Sequence, residues 1–282
     1  MKKTILFLFI ALSFSSCKKD NDSDQGTKEE INLNVSYGTD NSQKMDVYLP
    51  ANRTATTPLV LMLHGGAWID GDKAEIKFIQ DSLLKHGIAS VNMNYRFASA
   101  TNHFEGMMED VGKAFAYVKQ NADDWTVRSS NNVVLGVSAG AHIALLYAYA
   151  YKQSNEVSAV ISLCGPTIFT EGFLSSPSAV ILKTPIEAMV GAPITSPLTQ
   201  PFTNASPALR ITSIPTLLIH GTSDIIVPFE SSNFLSKALE SRSIPNKLVR
   251  IEGAGHDLGL ANPAAATMIL KEVLSWITIY SK

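Results

Sequence analysis

The chain has 282 residues, of which 45% are hydrophobic and 17% are charged, so it has enough apolar material for one large hydrophobic core. The formal net charge is −2, which excludes the basic field that a nucleic-acid-binding protein uses. We therefore expect no nucleic-acid partner. The oligomeric state cannot be read from the composition.

The N-terminus has the pattern of a secretory signal. Lys2 and Lys3 precede an apolar run from Ile5 to Phe14, which is too short for a comfortable membrane span. Small residues then lead into Cys17, a pattern that resembles the lipobox of bacterial lipoproteins. We expect residues 1–16 to be removed and Cys17 to carry a lipid that anchors the protein outside the cytoplasm, in the outer membrane. The alternatives are an ordinary cleaved signal and a cytosolic start.

The segment behind the cysteine predicts a flexible tether. Residues 18–30 contain no apolar residue, so they have no surface whose burial offsets the entropy of ordering. We therefore assign 17–30 to the tether and 31–282 to the folded domain. Only Cys164 remains as a free thiol in such a mature chain, which excludes an intramolecular disulfide, and its apolar surroundings predict a buried thiol.

From residue 31 the sequence alternates between short strand-like runs and helix-like runs. Two edge strands are predicted at 32–37 and 44–49. Further strands are predicted at 58–63, 88–95, 132–137, 157–164, 215–219 and 246–251. Helices are predicted at 73–86, 104–120, 139–151, 229–240 and from residue 263 onward. This order predicts an α/β fold with a mainly parallel central sheet and helices on both faces.

Residues 166–210 interrupt the alternation. They are rich in proline and show no clear hydrophobic period. A loop this long inside a domain is usually functional or disordered. We expect a short insertion that carries a few short helices and forms a lid or a pocket wall.

The segment 136–140, G-V-S-A-G, matches the G-x-S-x-G motif and lies between an apolar strand and a helix-forming run. A nucleophile at such a turn needs small neighbours, because the backbone must adopt a strained conformation to expose the hydroxyl. The start of the helix also places free N–H groups beside developing negative charge. This pattern predicts Ser138 as a nucleophile. A glycine-rich turn that serves only close packing is the alternative.

The segment 64–68, H-G-G-A-W, follows the apolar strand at 58–63. Glycine allows backbone N–H groups to approach a substrate oxygen, because no Cβ intervenes. The pattern predicts Gly65 and Gly66 in an oxyanion hole, which the N–H of Ala139 completes. A simple turn between strand and helix is the alternative.

Two further residues complete a candidate triad. Asp224 follows an apolar strand, and His256 lies in a glycine-rich loop after the next strand. Loops at the carboxyl ends of the strands of an open α/β sheet meet in one crevice, so both side chains can reach Ser138. His256 would accept the serine proton, and Asp224 would orient the imidazole. Asp257 is a rival acid, but a residue adjacent to His256 cannot easily place its carboxylate on Nδ1.

The other histidines have structural interpretations. We expect His86 and His103 at the surface, His64 and His220 in structural hydrogen bonds, and His142 in the packing behind the nucleophile. The sequence contains no H-E-x-x-H motif and no Cys/His cluster, so we expect neither a metal nor another cofactor.

Taken together, the motifs resemble those of a bacterial carboxylesterase of the α/β-hydrolase superfamily, from about Tyr37 to the C-terminus. The branch that the sequence is most similar to is the acetylxylan and feruloyl esterase-like group. The motifs that carry the resemblance are M-D-V-Y-L-P at 45–50, H-G-G-A-W at 64–68, G-D-K at 71–73, N-Y-R at 94–96, G-V-S-A-G at 136–140, H-G-T-S-D-I-I-V-P at 220–228 and G-A-G-H at 253–256.

This resemblance implies the α/β-hydrolase fold and a serine esterase that needs no cofactor. It implies an acyl-enzyme on Ser138, a short-chain or aromatic acyl ester as substrate, with polysaccharide esters as candidates, and Trp68 at the wall of the substrate pocket. Two alternatives remain open. One is an arylformamidase or peptidase that uses the same triad, and the other is a catalytically inactive binding module.

Overall fold

A central eight-stranded sheet organises the protein in the computed structural model, which describes residues 26–175 and 177–281. The predicted signal peptide (1–16) and Cys17 lie outside the described residues. The strands are, in chain order, β1 (Glu30–Ser36), β2 (Lys44–Leu49), β3 (Leu59–Leu63), β4 (Ala89–Met93), β5 (Asn132–Val137), β6 (Val157–Leu163), β7 (Thr216–Gly221) and β8 (Asn246–Ile251).

The strand order across the sheet is β1-β2-β4-β3-β5-β6-β7-β8. β1 pairs antiparallel with β2, and β2 pairs antiparallel with β4. All other neighbours pair in parallel. The predicted mainly parallel sheet is therefore confirmed, and the carboxyl ends of the six parallel strands β3 to β8 lie along one edge.

Helices cover both faces of this sheet. The α-helices are α1 (Lys77–Lys85), α2 (Phe104–Trp125), α3 (Ala139–Leu146), α4 (Glu171–Leu174), α5 (Pro177–Val190), α6 (Gln200–Asn204), α7 (Glu230–Glu240) and α8 (Pro263–Tyr280). Successive side chains along a strand point to opposite faces of the sheet. In β3, Leu61 therefore packs in the core beneath α2, α3 and α7, whereas Met62 packs in the core beneath α1 and α8. None of the helices in the two described ranges is long and apolar enough to cross a membrane.

Two predicted helices differ in detail from the structure. The predicted helix at 73–86 begins with a 3₁₀ turn (Lys73–Ile76), in which the Asp72 carboxylate caps the N–H of Ala74. The predicted helix at 139–151 ends as α3 at Leu146, and a π-helical turn (Tyr147–Tyr151) follows. Periodicity in the sequence does not separate these tighter and wider turns from an α-helix.

The folded part begins before the predicted boundary at residue 31. Thr27 accepts a hydrogen bond from the N–H of Asn52 at 2.7 Å. The guanidinium of Arg53, which is 3% exposed, donates to the carbonyl of Lys28 and pairs with Glu30. Backbone pairing and one buried arginine therefore hold this polar segment, which has no apolar side chain to bury.

The insertion at 166–210 contains α4, α5, α6 and a 3₁₀ turn at Pro207–Leu209. It packs on the α3 side of the sheet, where Ala205 contacts His142. It also covers His103, whose Nδ1 donates to the carbonyl of Ala188 at 2.9 Å. His103 is therefore half-buried beneath the insertion, whereas the sequence predicted a surface residue, because its partner lies 85 residues away in the chain.

Candidate active site

The turn between β5 and α3 exposes Ser138. The serine has φ 53° and ψ −118°, a strained conformation for a residue with a side chain. Its N–H donates to the carbonyl of Leu163 at 2.8 Å, which fixes the turn to the end of β6. Gly140 lies so close to the end of β3 that a Cβ there would overlap the carbonyl oxygens of Leu63 and His64. The helix behind the serine therefore contacts the loop that follows β3.

That loop carries the predicted oxyanion-hole residues. Three consecutive residues have positive φ: Gly66 at 105°, Ala67 at 47° and Trp68 at 64°. Left-handed backbone costs roughly 1–2 kcal/mol per residue with a side chain, so the packing around the loop must hold it in place. A Cβ built on Gly65 would lie 3.4 Å from the Cβ of Ser138, so this loop lies directly against the serine.

Ala139, the third residue predicted for the oxyanion hole, directly follows Ser138. Ala139 is the first residue of α3, so its N–H has no partner within the helix. The loop at 64–68 and this residue both adjoin Ser138. Backbone N–H groups in such a place can stabilise negative charge that develops on a substrate oxygen.

The structure brings Ser138, His256 and Asp224 into one hydrogen-bonded chain. The Oγ of Ser138 lies 2.9 Å from Nε2 of His256. Nδ1 of the same ring lies 2.7 Å from Oδ2 of Asp224. Because a carboxylate only accepts, Nδ1 carries the proton and Nε2 is free to accept one from the serine hydroxyl. This arrangement can transfer a proton from the hydroxyl and stabilise the imidazolium that forms.

Asp224 is held as a buried carboxylate. Its Oδ1 accepts hydrogen bonds from the N–H groups of Ile226 and Val227 at 2.8 and 2.9 Å. Burial alone would raise the pKa of Asp224, but hydrogen bonds from His220 and His256 outweigh it, so the pKa lies well below its usual range. The group is therefore charged at neutral pH and cannot drift from the histidine without losing four donors.

The same pairing shifts the pKa of His256 in the opposite direction to that of Asp224. Burial would lower the pKa of His256, but its hydrogen bond and charge interaction with Asp224 outweigh this effect and raise the pKa. The imidazole side chain remains 25% exposed, so it is reachable from solvent, whereas the Asp224 side chain is fully buried. Asp257, the rival acid, is exposed and accepts a bond from the N–H of Gly259.

His220 makes a contact with the triad that the sequence did not predict. Its Nε2 donates to the carbonyl of Val227 at 2.9 Å, as a structural histidine was expected to do, and also lies 3.2 Å from Oδ2 of Asp224. Its Nδ1 pairs with the hydroxyl of Ser232 at 2.7 Å. The four-residue spacing between His220 and Asp224, across the turn after β7, is the only sequence signal for this contact.

Trp68 occupies a different environment from the predicted pocket wall. The residue is 1% exposed, and its indole N–H donates to Nδ1 of His142 at 3.1 Å. Its ring also packs against Phe169 of the insertion, with centroids 6.2 Å apart. An indole with this degree of burial offers no surface to a substrate. The backbone of Trp68 belongs to the segment 64–68, called the oxyanion loop below, whereas its side chain packs in the interior.

Two histidines lie as expected in the interior. His64 stacks on Tyr95 with ring centroids 4.6 Å apart, and its Nδ1 pairs with the carbonyl of Gly65. Burial lowers the pKa of His142 to about 4, so its ring is neutral at physiological pH. Within the described ranges, no group of three or more His, Cys, Asp or Glu residues is arranged to hold a metal ion.

The mainly parallel sheet, the strained serine turn and the three loops at the carboxyl edge define the α/β-hydrolase class. The family profile BD-FAE matches residues 45–239, more than half of the chain, and the chain belongs to this family. Ser138 and Asp224 lie within the matched range, whereas His256 lies beyond it.

Named relatives include enzymes called esterases. The chain is 28% identical over 275 residues to a probable isoprenylcysteine alpha-carbonyl methylesterase of Oryza sativa, covering 88% of this chain and 63% of that protein. It is 27% identical over 247 residues to Esterase LipC of Mycobacterium tuberculosis, covering 82% of this chain and 60% of that protein. The chain thus spans less than two thirds of the length of these curated relatives.

Solved structures show the same fold. A truncated carbohydrate esterase from gut microbiota superposes with a TM-score of 0.76 at 21% identity, covering 92% of this chain and 98% of the other. An esterase of Thermogutta terrifontis superposes with a TM-score of 0.68, also at 21% identity, covering 89% and 93% of the two chains. At these identities the likeness concerns the fold.

Proposed function

We propose that the protein is a carboxylic ester hydrolase that forms an acyl-enzyme on Ser138. The observation that carries this proposal is the chain of two hydrogen bonds from Ser138 through His256 to Asp224, at 2.9 and 2.7 Å. Both distances lie in the range over which a general base takes a proton from its nucleophile. Membership of the BD-FAE family supports the same chemistry.

The proposed reaction has two halves. Oγ of Ser138 attacks the ester carbonyl carbon while its proton passes to Nε2 of His256, and the new oxyanion lies among N–H groups of Gly65, Gly66 and Ala139. The C–O bond to the alcohol then breaks, and His256 returns the proton to the leaving alkoxide. Water deprotonated by His256 hydrolyses the acyl-enzyme, which releases the carboxylic acid and restores the serine.

For the substrate, we propose short-chain or aromatic acyl esters carried by polysaccharides. The structural neighbour from gut microbiota is named a carbohydrate esterase, and this supports a carbohydrate as the alcohol part. A lipid at Cys17 would hold the enzyme outside the cytoplasm, where such polymers are found. An arylformamidase or peptidase remains the alternative for the same three side chains.

A substrate panel tests the proposal. Wild-type protein without residues 1–17 is assayed on p-nitrophenyl acetate, acetylated xylan, methyl ferulate and N-formylkynurenine. We expect turnover of the esters, and Ser138→Ala to remove essentially all of it, since loss of a nucleophile can cost about 10⁶-fold in kcat. Ser82→Ala, which changes a half-buried serine in α1, is the matched control. Faster turnover of the formamide than of any ester would favour the alternative, and unchanged activity in Ser138→Ala would refute the assignment.

A further inference from the structure

One buried histidine, His142, joins three parts of the chain, which are the loop at 64–68, the insertion at 166–210 and α3. Nδ1 of His142 accepts the indole N–H of Trp68 at 3.1 Å, and Nε2 of His142 pairs with the carbonyl of Ala205 at 2.7 Å. The rings of Trp68 and His142 meet edge to face, with centroids 5.3 Å apart. Neither histidine nitrogen lacks a partner.

The partners fix the tautomer of this ring. An indole N–H can only donate, so Nδ1 of His142 must carry no hydrogen. A backbone carbonyl can only accept, so Nε2 must carry the hydrogen and donate to Ala205. His142 is fully buried, so the neutral ring has one orientation and one protonation state that satisfy both contacts.

These contacts connect elements that are remote in the sequence. His142 lies in the first turn of α3, and its N–H donates to the carbonyl of Ser138 at 3.1 Å. Trp68 is the last of the three consecutive residues with positive φ in the oxyanion loop. Ala205 belongs to the insertion and immediately follows α6. The imidazole therefore ties the loop and the insertion to the helix that begins at the serine.

The loop needs such a restraint. Ala67 and Trp68 hold left-handed backbone that residues with side chains do not favour, and only surrounding contacts keep them there. Donors of an oxyanion hole must also lie within a few tenths of an ångström of the charge that they stabilise, since small displacements are costly to the rate. The hydrogen bond from the Trp68 side chain to His142 supplies a restraint, because His142 lies in the helix that follows Ser138.

We propose that His142 and Trp68 are positioning residues, which hold the oxyanion loop against Ser138 and transmit the position of the insertion to it. Neither residue touches the substrate. The proposal rests on the ester-hydrolase function proposed above. It predicts that loss of the Trp68–His142 hydrogen bond slows the chemical step and leaves ground-state binding of substrate nearly unchanged.

Trp68→Phe is the first test, because it keeps an aromatic ring and removes only the N–H donor. We expect kcat on p-nitrophenyl acetate to fall by about tenfold or more, with KM changed by less than about twofold. Affinity for a trifluoromethyl ketone, which forms an oxyanion adduct with the serine, should fall by the same factor as kcat/KM.

The control removes an equally buried hydrogen bond elsewhere. In Tyr149→Phe, the phenol loses its bond to the hydroxyl of Thr216, which measures 2.6 Å. We expect a similar fall in Tm, because each change deletes one buried hydrogen bond, but no change in kcat. If Trp68→Phe and Tyr149→Phe have the same kcat, the positioning role is overturned.

Substitutions of His142 separate its two contacts. In His142→Asn the amide oxygen can replace Nδ1 and accept from Trp68, whereas in His142→Gln the amide nitrogen can replace Nε2 and donate to Ala205. We expect the Asn variant to keep more of the wild-type kcat than the Gln variant at equal folded fraction. The double variant Trp68→Phe/His142→Gln should lose no more than either single variant. The reverse order of Asn and Gln, or additive losses, would overturn the proposal.

The assays also separate failure of this inference from failure of the function. Absence of ester turnover by wild-type protein, or activity that persists in Ser138→Ala, contradicts the hydrolase assignment. Wild-type turnover that depends on Ser138 but is insensitive to the Trp68–His142 pair contradicts only the positioning role.

Discussion

Nε2 of His220 lies 3.2 Å from Oδ2 of Asp224, the oxygen that also accepts the hydrogen bond from His256. The Nε2 hydrogen of His220 is shared between this oxygen and the carbonyl of Val227. A fully buried second imidazole thus contacts the same carboxylate oxygen as the proposed base. Outer partners of this kind orient the groups that they contact.

From this contact we predict unequal effects of two substitutions at His220. His220→Gln can keep a donor near the carboxylate and should retain most of the activity. His220→Leu has no donor and should lower kcat by at least about tenfold, because Asp224 would lose one restraint on its position. Comparison of kcat at matched folded fraction checks this, and equal losses in the two variants would contradict it.

Asp224→Asn should lower kcat strongly, by as much as about 10⁴-fold, because an amide cannot hold the proton on Nδ1 of His256 or stabilise the imidazolium. Asp257→Asn is the control and should stay within about twofold of wild type, since its carboxylate is exposed and bonds to Gly259. Steady-state kinetics on p-nitrophenyl acetate gives both values. A larger loss in Asp257→Asn would require a different acid.

The pH profile follows from the shifted pKa of His256. Only the neutral imidazole can accept the serine proton, so activity increases as this group loses its proton. Because Asp224 raises the pKa of His256 above the ordinary 6.5, the rising limb of kcat/KM should have its midpoint above pH 6.5. Residual activity of Asp224→Asn should show a lower midpoint, since the raising charge is gone. An unchanged midpoint in that variant would contradict the assignment.

Gly66→Ala should disrupt the oxyanion loop. Gly66 has φ 105°, and a Cβ there would overlap the backbone carbonyl of Asp70. Gly253→Ala is the matched control, because Gly253 also has a positive φ, of 73°, but open space at its Cβ position. We expect kcat to fall by about 100-fold or more in Gly66→Ala and by less than about threefold in Gly253→Ala. Similar losses in both would show that backbone strain alone accounts for the effect.

The lipid anchor is tested at Cys17. Cys17→Ser should release the protein from membrane fractions and leave ester hydrolysis unchanged, because attachment depends on acyl chains carried by the cysteine. The intact mass of the mature N-terminal peptide from membranes gives a direct readout. An unmodified N-terminus, or a retained Met1, would contradict the anchor and favour a different localisation.

The strand–helix alternation and the serine turn could be predicted from the sequence because both depend on local patterns. The runs that became β3 and β5 are mostly apolar, as buried parallel strands require, and each leads into a motif that contains glycine. The insertion was harder to predict, because α5 spans 14 residues with Pro185 inside it, and proline argues against a helix interior.

The contacts of the histidines could not be predicted. Trp68 and His142 lie 74 residues apart, and no period or motif in one sequence links them. The same holds for His142 and Ala205, which meet only because the insertion folds back onto α3. The sequence therefore predicted three side chains that the structure brings together, whereas the contacts behind them depend on tertiary packing.

The direction of β1 determines the edge of the sheet at which a tether from Cys17 would enter the domain. β1 is antiparallel to β2, and β2 is antiparallel to β4, so β1 runs in the same direction as the parallel strands. Glu30 therefore lies at the amino edge of the sheet, opposite to the edge that carries Ser138. Residues 18–25 can span at most roughly 29 Å between a lipid on Cys17 and the domain. The predicted tether would therefore join the domain on the side opposite to Ser138, which leaves the Ser138 edge free for a bulky polymer.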